Sequence, residues 1–211
     1  SLKRLVLKTF WLSFAWIKNI TGPSTARRPS FGQTAYGVKM VQRWHDRTFV
    51  YCHGGIYGTY LADKLKRRTS PFTFLDIGAN QGLYSLIAAQ NPACVHVYAF
   101  EPVSETFKTL NENIELNRLA QKISSIRKAI SCKAGEIAIH VPNGHSGMAT
   151  LERNGNDSEF SGTTETIETI ASADLEVLLA DSDALLVKID VEGHELTVLN
   201  QLMACEAAKK I

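Results

Sequence analysis

The sequence predicts an α/β protein, a parallel β-sheet with helices packed on its faces. Three observations lead there. From residue 71 onward, short apolar runs of strand length alternate with stretches of helical composition. The first of these runs ends in a glycine-containing turn, and the second ends in a carboxylate and a proline. Strands that alternate with helices imply right-handed crossovers and a parallel sheet. Ligands of such sheets sit at the carboxyl ends of the strands, near the point where strand order reverses.

Each element has its own justification. Residues 1–20 carry Leu5, Phe10, Trp11, Phe14, Trp16 and Ile17 on all sides of a helix axis, so this helix needs burial. Burial against the domain or in a homo-oligomer is the ordinary outcome, and docking on a membrane surface is the alternative. Residues 21–35 combine glycine, proline and small polar residues and read as a linker. Arg47–Tyr51 has strand composition and precedes the glycine-rich His53-Gly-Gly-Ile-Tyr-Gly58, while Lys64, Lys66, Arg67 and Arg68 close a solvated helix. Phe72–Ile77 is a buried strand, 82–90 a helix and Val95–Phe100 a second strand. Val103, Phe107, Leu110 and Ile114 share one face of a helix over 103–117. Ile123–Ile130 is expected as a third strand, with alternating strands at Ile137–Val141 and Thr166–Ile170. A short helix follows at 174–180, then a buried strand at Ala184–Val191. Leu196, Leu199 and Leu202 are expected to form the inner face of the last helix. These elements divide into a basic N-terminal helix and linker (1–35), a lead-in segment (36–70) and a ligand-binding domain (71–211).

Composition narrows the function classes. The chain is 45% hydrophobic and 21% charged, which excludes wholesale disorder. No apolar run approaches the ~18 residues of a membrane span. The net charge of +2 hides a split. Residues 1–70 carry 13 Lys/Arg against 2 Asp/Glu, and residues 71–211 carry 10 against 19. A basic arm is thus joined to an acidic body. Cys52, Cys94, Cys132 and Cys205 form no C-x-x-C pair, which excludes zinc-ribbon and disulfide frameworks and points to a reducing, cytoplasmic setting. Cys94 and Cys132 are expected as small core residues. The histidines form no H-E-x-x-H arrangement, so no structural metal is expected, and nothing in the spacing of the carboxylates near Asp190 demands a metal for catalysis, although their clustering would allow one.

The turn after the first strand reads Asp76-Ile-Gly78-Ala79-Asn80-Gln-Gly82. Gly78 permits a tight turn close to a ligand, and Gly82 opens the helix against the sheet. This is not the G-x-G-x-x-G of a pyrophosphate site. Asp76 would repel a phosphate but suits a ligand that carries an ammonium group. Glu101, at the tip of the second strand, is placed to accept hydrogen bonds from both ribose hydroxyls. A ligand with a ribose, no phosphate and a cationic tail is S-adenosylmethionine. The plain alternative is that the glycines only make a βα turn and that Glu101 is a helix-terminal carboxylate.

With these residues, the sequence resembles the FkbM family of S-adenosylmethionine-dependent methyltransferases. The matching segments are FLDIGANQGLYS (74–85), YAFEP (98–102), NENIELN (111–117), IRKAIS (126–131), TIETIASADLEVLL (166–179) and LLVKIDVEGHELTVL (185–199). The resemblance covers about residues 70–202. It implies a class I, Rossmann-like methyltransferase fold and methyl transfer to oxygen. A class I sheet has further strands after the one ending at Val191, so the resemblance implies that the sheet is completed either by residues beyond Ile211 or by another chain. It also implies that Asp76, Gly78, Ala79, Asn80 and Gly82 surround the methionine half of the cofactor, that Glu101 and Pro102 lie at the ribose, and that Ala129 lies near the adenine. Asn143–Met148 is expected as a loop near the site.

Methyl transfer to a hydroxyl is an in-line displacement, which needs the acceptor oxygen held close to the methyl carbon and its proton removed. Asp190, at the carboxyl end of the strand opposite, is the first candidate for orienting or deprotonating the acceptor. Glu192 and His194 are alternatives, His194 because a free imidazole titrates near neutrality. Family members commonly carry a small residue where His194 stands, so a base role there would be peculiar to this chain. Helix capping by Glu192 and Glu195, and a solvated or paired Lys188, are the ordinary readings of their neighbours. The expected acceptor is a small molecule or glycan. Nucleic acid held by the basic arm, or a docking module with a vestigial cofactor fold, are the competing classes. The acidic body disfavours the first, and the intact Asp76, Gly78 and Glu101 disfavour the second.

Overall fold

The computed structural model describes residues 30–142 and 162–211. Its centre is a four-stranded, all-parallel sheet in the order β5-β4-β3-β9. The strands are β3 (Phe72–Ile77), β4 (Cys94–Phe100), β5 (Ile123–Ile126) and β9 (Leu185–Ile189). β3 lies between β4 and β9 and is buried along its whole length. That explains its unbroken apolar run, since a strand covered on both faces has no solvent side to alternate toward. Alternation survives in what each side chain meets. Phe72 and Phe74 pack with α3 (Leu83–Gln90) and α4 (Ser104–Leu116). Leu75 and Ile77 pack with α5 (Ser172–Leu179) and α6 (Glu195–Met203).

The chain runs outward from β3 through α3, β4 and α4 to β5, then returns to place β9 on the other side of β3. Strand order therefore reverses between β3 and β9, the position where doubly wound sheets open a ligand crevice.

The expected strand over 123–130 is two strands. β5 ends at Ile126, and β6 (Ala129–Ile130) leaves the central sheet to pair with β8 (Gly162–Ile170). β8 also pairs antiparallel with β7 (Gly135–Pro142), giving a separate sheet in the order β6-β8-β7. At the break, Arg127 lies 3.8 Å from Glu165, and Lys128 lies 3.0 Å from Glu168, so two carboxylates of β8 receive the two cations between the strands.

The lead-in departs further from expectation. Residues 31–33, read as linker, form β1 (Phe31–Gln33), which pairs antiparallel with β2 (Lys39–Val41). Arg47–Tyr51 is not a strand but belongs to the helix α1 (Arg47–His53). Asp46 caps it by accepting a hydrogen bond from Thr48 N at 2.9 Å, and this cap outweighs the strand propensity of Thr48, Phe49, Val50 and Tyr51. α2 (Thr59–Arg67) ends in Lys64, Lys66 and Arg67. The lead-in packs into the α3 side of the core through Phe49, Ala62 and Leu65. Side-chain amides on α4 fasten it further. Asn113 accepts from Val41 N at 2.8 Å and donates to Gln81 O at 2.8 Å. Asn117 accepts from Lys39 N at 3.0 Å and donates to Lys39 O at 2.7 Å, so it completes the free edge of β2.

Two smaller expectations also fail. The inner face of α6 is Val198 and Leu202, while Leu196 is 70% and Leu199 44% exposed. Cys132 is exposed, whereas Cys94 is buried. Among the described residues, no helix is long and apolar enough to cross a membrane. The apolar segment 1–20 and the loop Asn143–Met148 lie outside the described residues.

Candidate active site

A cleft opens at the carboxyl ends of β3, β4 and β9. Its floor is the turn from Asp76 to Gly82. Gly78 has φ +77°, and a Cβ there would stand 1.9 Å from the carbonyl oxygen of Asp190, so no other residue fits. The turn is clasped from both neighbouring strands. Gly78 N and Ala79 N donate to Phe100 O at 3.0 and 2.8 Å, and Asp190 N donates to Ile77 O at 3.0 Å. Asn80 takes the left-handed conformation at φ +51°, which asparagine tolerates better than most residues.

Glu101 closes the same wall. It is 6% exposed yet borders the cleft. Its Oε2 accepts from Asn80 N at 2.9 Å and its Oε1 from Val103 N at 3.0 Å. Burial pushes its carboxyl up to about 7, against the opposing pull of those two amides. Pro102 lies beside it. Next along the wall, Val103, Ala129, Ile130 and Ile139 form an apolar surface with Lys128 at its margin.

Asp76 does not reach the cleft. It is fully buried, accepts from Ser85 Oγ at 2.6 Å and lies 3.2 Å from Lys188 Nζ. The ammonium that Asp76 meets therefore belongs to the chain itself. Lys188 stands beside Asp76 in the strand register, donates to Gly78 O at 2.5 Å and lies 3.7 Å from Asp190 Oδ2. Of its two ordinary readings, the paired one holds. Ala79 and Gly82 also lie off the cleft surface. At φ +88° Gly82 starts α3 so close to α4 that a Cβ would meet Leu110 Cδ1 at 2.5 Å.

The opposite wall carries Asp190, Glu192 and His194, all bordering the cleft. Glu192 has φ +45°, an uncommon conformation for a glutamate, and Gly193 follows at φ +94°. His194 is the N-cap of α6, and its Nε2 is buried without a hydrogen bond among the described residues. Gly193 N donates to the Glu195 carboxylate at 3.1 Å, so Glu195 serves the helix start. Among the described residues, no three or more His, Cys, Asp or Glu side chains gather in a metal-binding group.

Among the cleft residues that motif reading missed, which include Val103, Lys128, Ile130 and Ile139, Tyr57 is the one in contact with Asp190. It arrives from the lead-in, and its hydroxyl donates to Asp190 Oδ2 at 3.3 Å. The available signal was an aromatic residue set inside the glycine-rich segment 53–58.

Comparison with known proteins shows what the chain is similar to. The chain is 31% identical over 124 residues to the hexuronic acid methyltransferase AglP of Haloferax volcanii, a match covering 59% of this chain and 47% of that protein. It is 29% identical over 102 residues to the methyltransferase sdnD of Sordaria araneosa, covering 47% and 39%. The matched stretches thus span about half the length of these relatives or less. Among solved structures, the methyltransferase FkbM of Methylobacillus flagellatus superposes with a TM-score of 0.41 at 20% identity, covering 64% of this chain and 30% of that one. The model of the methyltransferase FkbM domain matches residues 76–210, starting at the buried carboxylate of β3. The chain belongs to the FkbM family of S-adenosylmethionine-dependent methyltransferases.

Proposed function

We propose that this chain transfers a methyl group from S-adenosylmethionine to an oxygen of a small-molecule or glycan acceptor. The observation that carries the reading is Glu101. It is a carboxylate buried at a strand tip, clasped to the glycine turn by Asn80 N and bordering a cleft whose other wall is Asp190. Each Glu101 oxygen uses one lone pair on a main-chain amide and keeps another for a ribose hydroxyl. The apolar surface of Val103, Ala129, Ile130 and Ile139 suits a purine face. Gly78, Asn80 and Pro102 complete this side, while Ala79 and Gly82 shape the turn from behind. Asp76 acts indirectly, by holding Lys188 against Gly78 O.

When bound, S-adenosylmethionine supplies a sulfonium methyl whose transfer to a hydroxyl leaves a neutral thioether and releases the hydroxyl proton. Asp190 holds the acceptor hydroxyl and receives that proton, with Glu192 and His194 beside it to orient the rest of the acceptor. A sugar acceptor is supported by the relative whose name assigns it hexuronic acid. In this reading residues 71–211 bind the donor, and the lead-in completes the acceptor side.

Calorimetry with S-adenosylhomocysteine tests the donor site, with micromolar binding to the wild type expected. Transfer of labelled methyl to a panel of neutral and uronic-acid glycosides tests the acceptor class. Absence of S-adenosylhomocysteine binding would falsify the proposal.

A further inference from the structure

The family match begins at residue 76, so nothing in it accounts for Tyr57. Yet Tyr57 is held in the cleft with some care. Its carbonyl accepts a hydrogen bond from the hydroxyl of Tyr36, and the carbonyl of the next residue, Gly58, accepts from Tyr84 Oη at 3.0 Å. Tyr36 comes from the β1–β2 hairpin and Tyr84 from the first turn of α3, so the segment is pinned from two elements. Gly58 must be glycine for this. At φ +42° its Cβ would stand 2.1 Å from Tyr84 Oη. The Tyr57 and Tyr84 rings lie 5.9 Å apart.

What this placement achieves is seen on the Asp190 carboxylate. Tyr57 Oη at 3.3 Å and Lys188 Nζ at 3.7 Å both converge on Oδ2. Among the described residues, no donor reaches Oδ1. Burial, with the Asp190 carboxylate beside it, pushes the Tyr57 phenol far above its ordinary value, so the hydroxyl keeps its proton and remains a donor.

We propose that Tyr57 is a positioning residue for the transfer step, delivered by the lead-in, which together with Lys188 engages Asp190 Oδ2 and leaves Oδ1 to the acceptor hydroxyl. This rests on the methyl-transfer reading above. The C–O bond forms with the acceptor oxygen's lone pair as the C–S bond breaks, the bonding pair goes to sulfur, and the hydroxyl proton goes to Oδ1. Tyr57 neither gains nor loses a proton. It fixes the carboxylate's rotation, which is a matter of orientation and not of donor binding.

Two measurements decide the proposal. In protein labelled with ¹³Cζ-tyrosine, the Tyr57 resonance is assigned by its loss in Tyr57→Phe, with exposed Tyr60→Phe as the control. It is expected to move in Asp190→Asn, because its hydroxyl partner has lost its charge. An unmoved resonance overturns the proposal. With methyl glucuronide and labelled S-adenosylmethionine, Tyr57→Phe is expected to lower kcat about tenfold while KM stays within about twofold, since the lost contact is with a charged group that acts at the transition state. Tyr57→Ala lowers kcat further, and Tyr57→Phe recovers part of that loss. Equal kcat in wild type and Tyr57→Phe overturns the proposal. Failure of the wild type to bind S-adenosylhomocysteine is instead failure of the methyltransferase reading, and the resonance still reports whether Tyr57 engages Asp190.

Discussion

The two walls of the cleft are built differently. The wall that the proposal assigns to the donor, from Gly78 to Glu101, is made of main chain and buried groups that hold one another. Gly78 and Ala79 bind Phe100, and Asn80 and Val103 bind Glu101. The wall that the proposal assigns to transfer is made of side chains that reach toward solvent. Asp190 has 44% of its side chain exposed and is oriented by Lys188 and Tyr57, while Glu192 is exposed on a turn at positive φ. The first wall is held by contacts within its own turn and strand tips, whereas Asp190 on the second is held by side chains from elsewhere in the chain. The proposed reaction, which brings a donor and a separate acceptor to one cleft, calls for that division.

Substitutions that hit one wall and spare the other test this contrast. The largest effect is expected from Asp190→Asn, which lowers the rate of methyl transfer about 10²–10⁴-fold. S-adenosylhomocysteine affinity by calorimetry stays within a few-fold, and a parallel loss of affinity would merge the two walls into one. Gly78→Ala attacks the donor wall through its backbone, because the new Cβ meets Asp190 O. A loss of about 3 kcal/mol or more in denaturant-unfolding stability is expected. Glu101→Gln is expected to weaken S-adenosylhomocysteine binding by roughly tenfold to a hundredfold, the value of hydrogen bonds to a charged acceptor.

The same variant reports on pH. The folded-state carboxyl of Glu101 sits near 7, above its unfolded value of 4.5, so the native state holds the proton more tightly. Its contribution is complete below the unfolded value and is lost as pH rises from about 5 through 7. Wild-type stability is expected to fall by roughly 1–3 kcal/mol across that window from this group, and Glu101→Gln to flatten the fall. The smallest effect is reserved for Leu196→Ser. With this side chain 70% exposed, thermal stability should change by no more than about 0.5 kcal/mol, whereas Leu202→Ala in the buried stripe should cost about 2–4.

The place of the proposed donor wall was legible in the sequence because its determinants are local, although Asp76, Ala79 and Gly82 lie behind the cleft surface. A strand, a glycine turn and a carboxylate after the next strand lie within 26 residues of one another, from Asp76 to Glu101. The transfer wall was half legible. Asp190, Glu192 and His194 follow one strand, but Tyr57 meets Asp190 across 133 positions, and no periodicity carries that contact. The errors have similar causes. Arg47–Tyr51 has the composition of a strand, and only Asp46 marks it as a helix. The division at Arg127–Lys128 reflects Glu165 and Glu168, two residues far along the chain. In the last helix, leucines at 196, 199 and 202 and the pair Val198 and Leu202 both satisfy helical spacing. The start of α6 after His194, and what it packs on, decided between them.

The clamp of α4 on β2 also bears on how the protein is made. A chain emerging from the ribosome presents Lys39 and Val41 long before Asn117 and Asn113, which lie 78 and 72 positions later. At about 5–20 residues per second, that interval is roughly 4–16 s. For that time the outer edge of β2 lacks the two side-chain amides that complete it. Nascent chains halted before residue 113 should therefore be the ones most heavily bound by chaperones, and release should coincide with the appearance of the two asparagines.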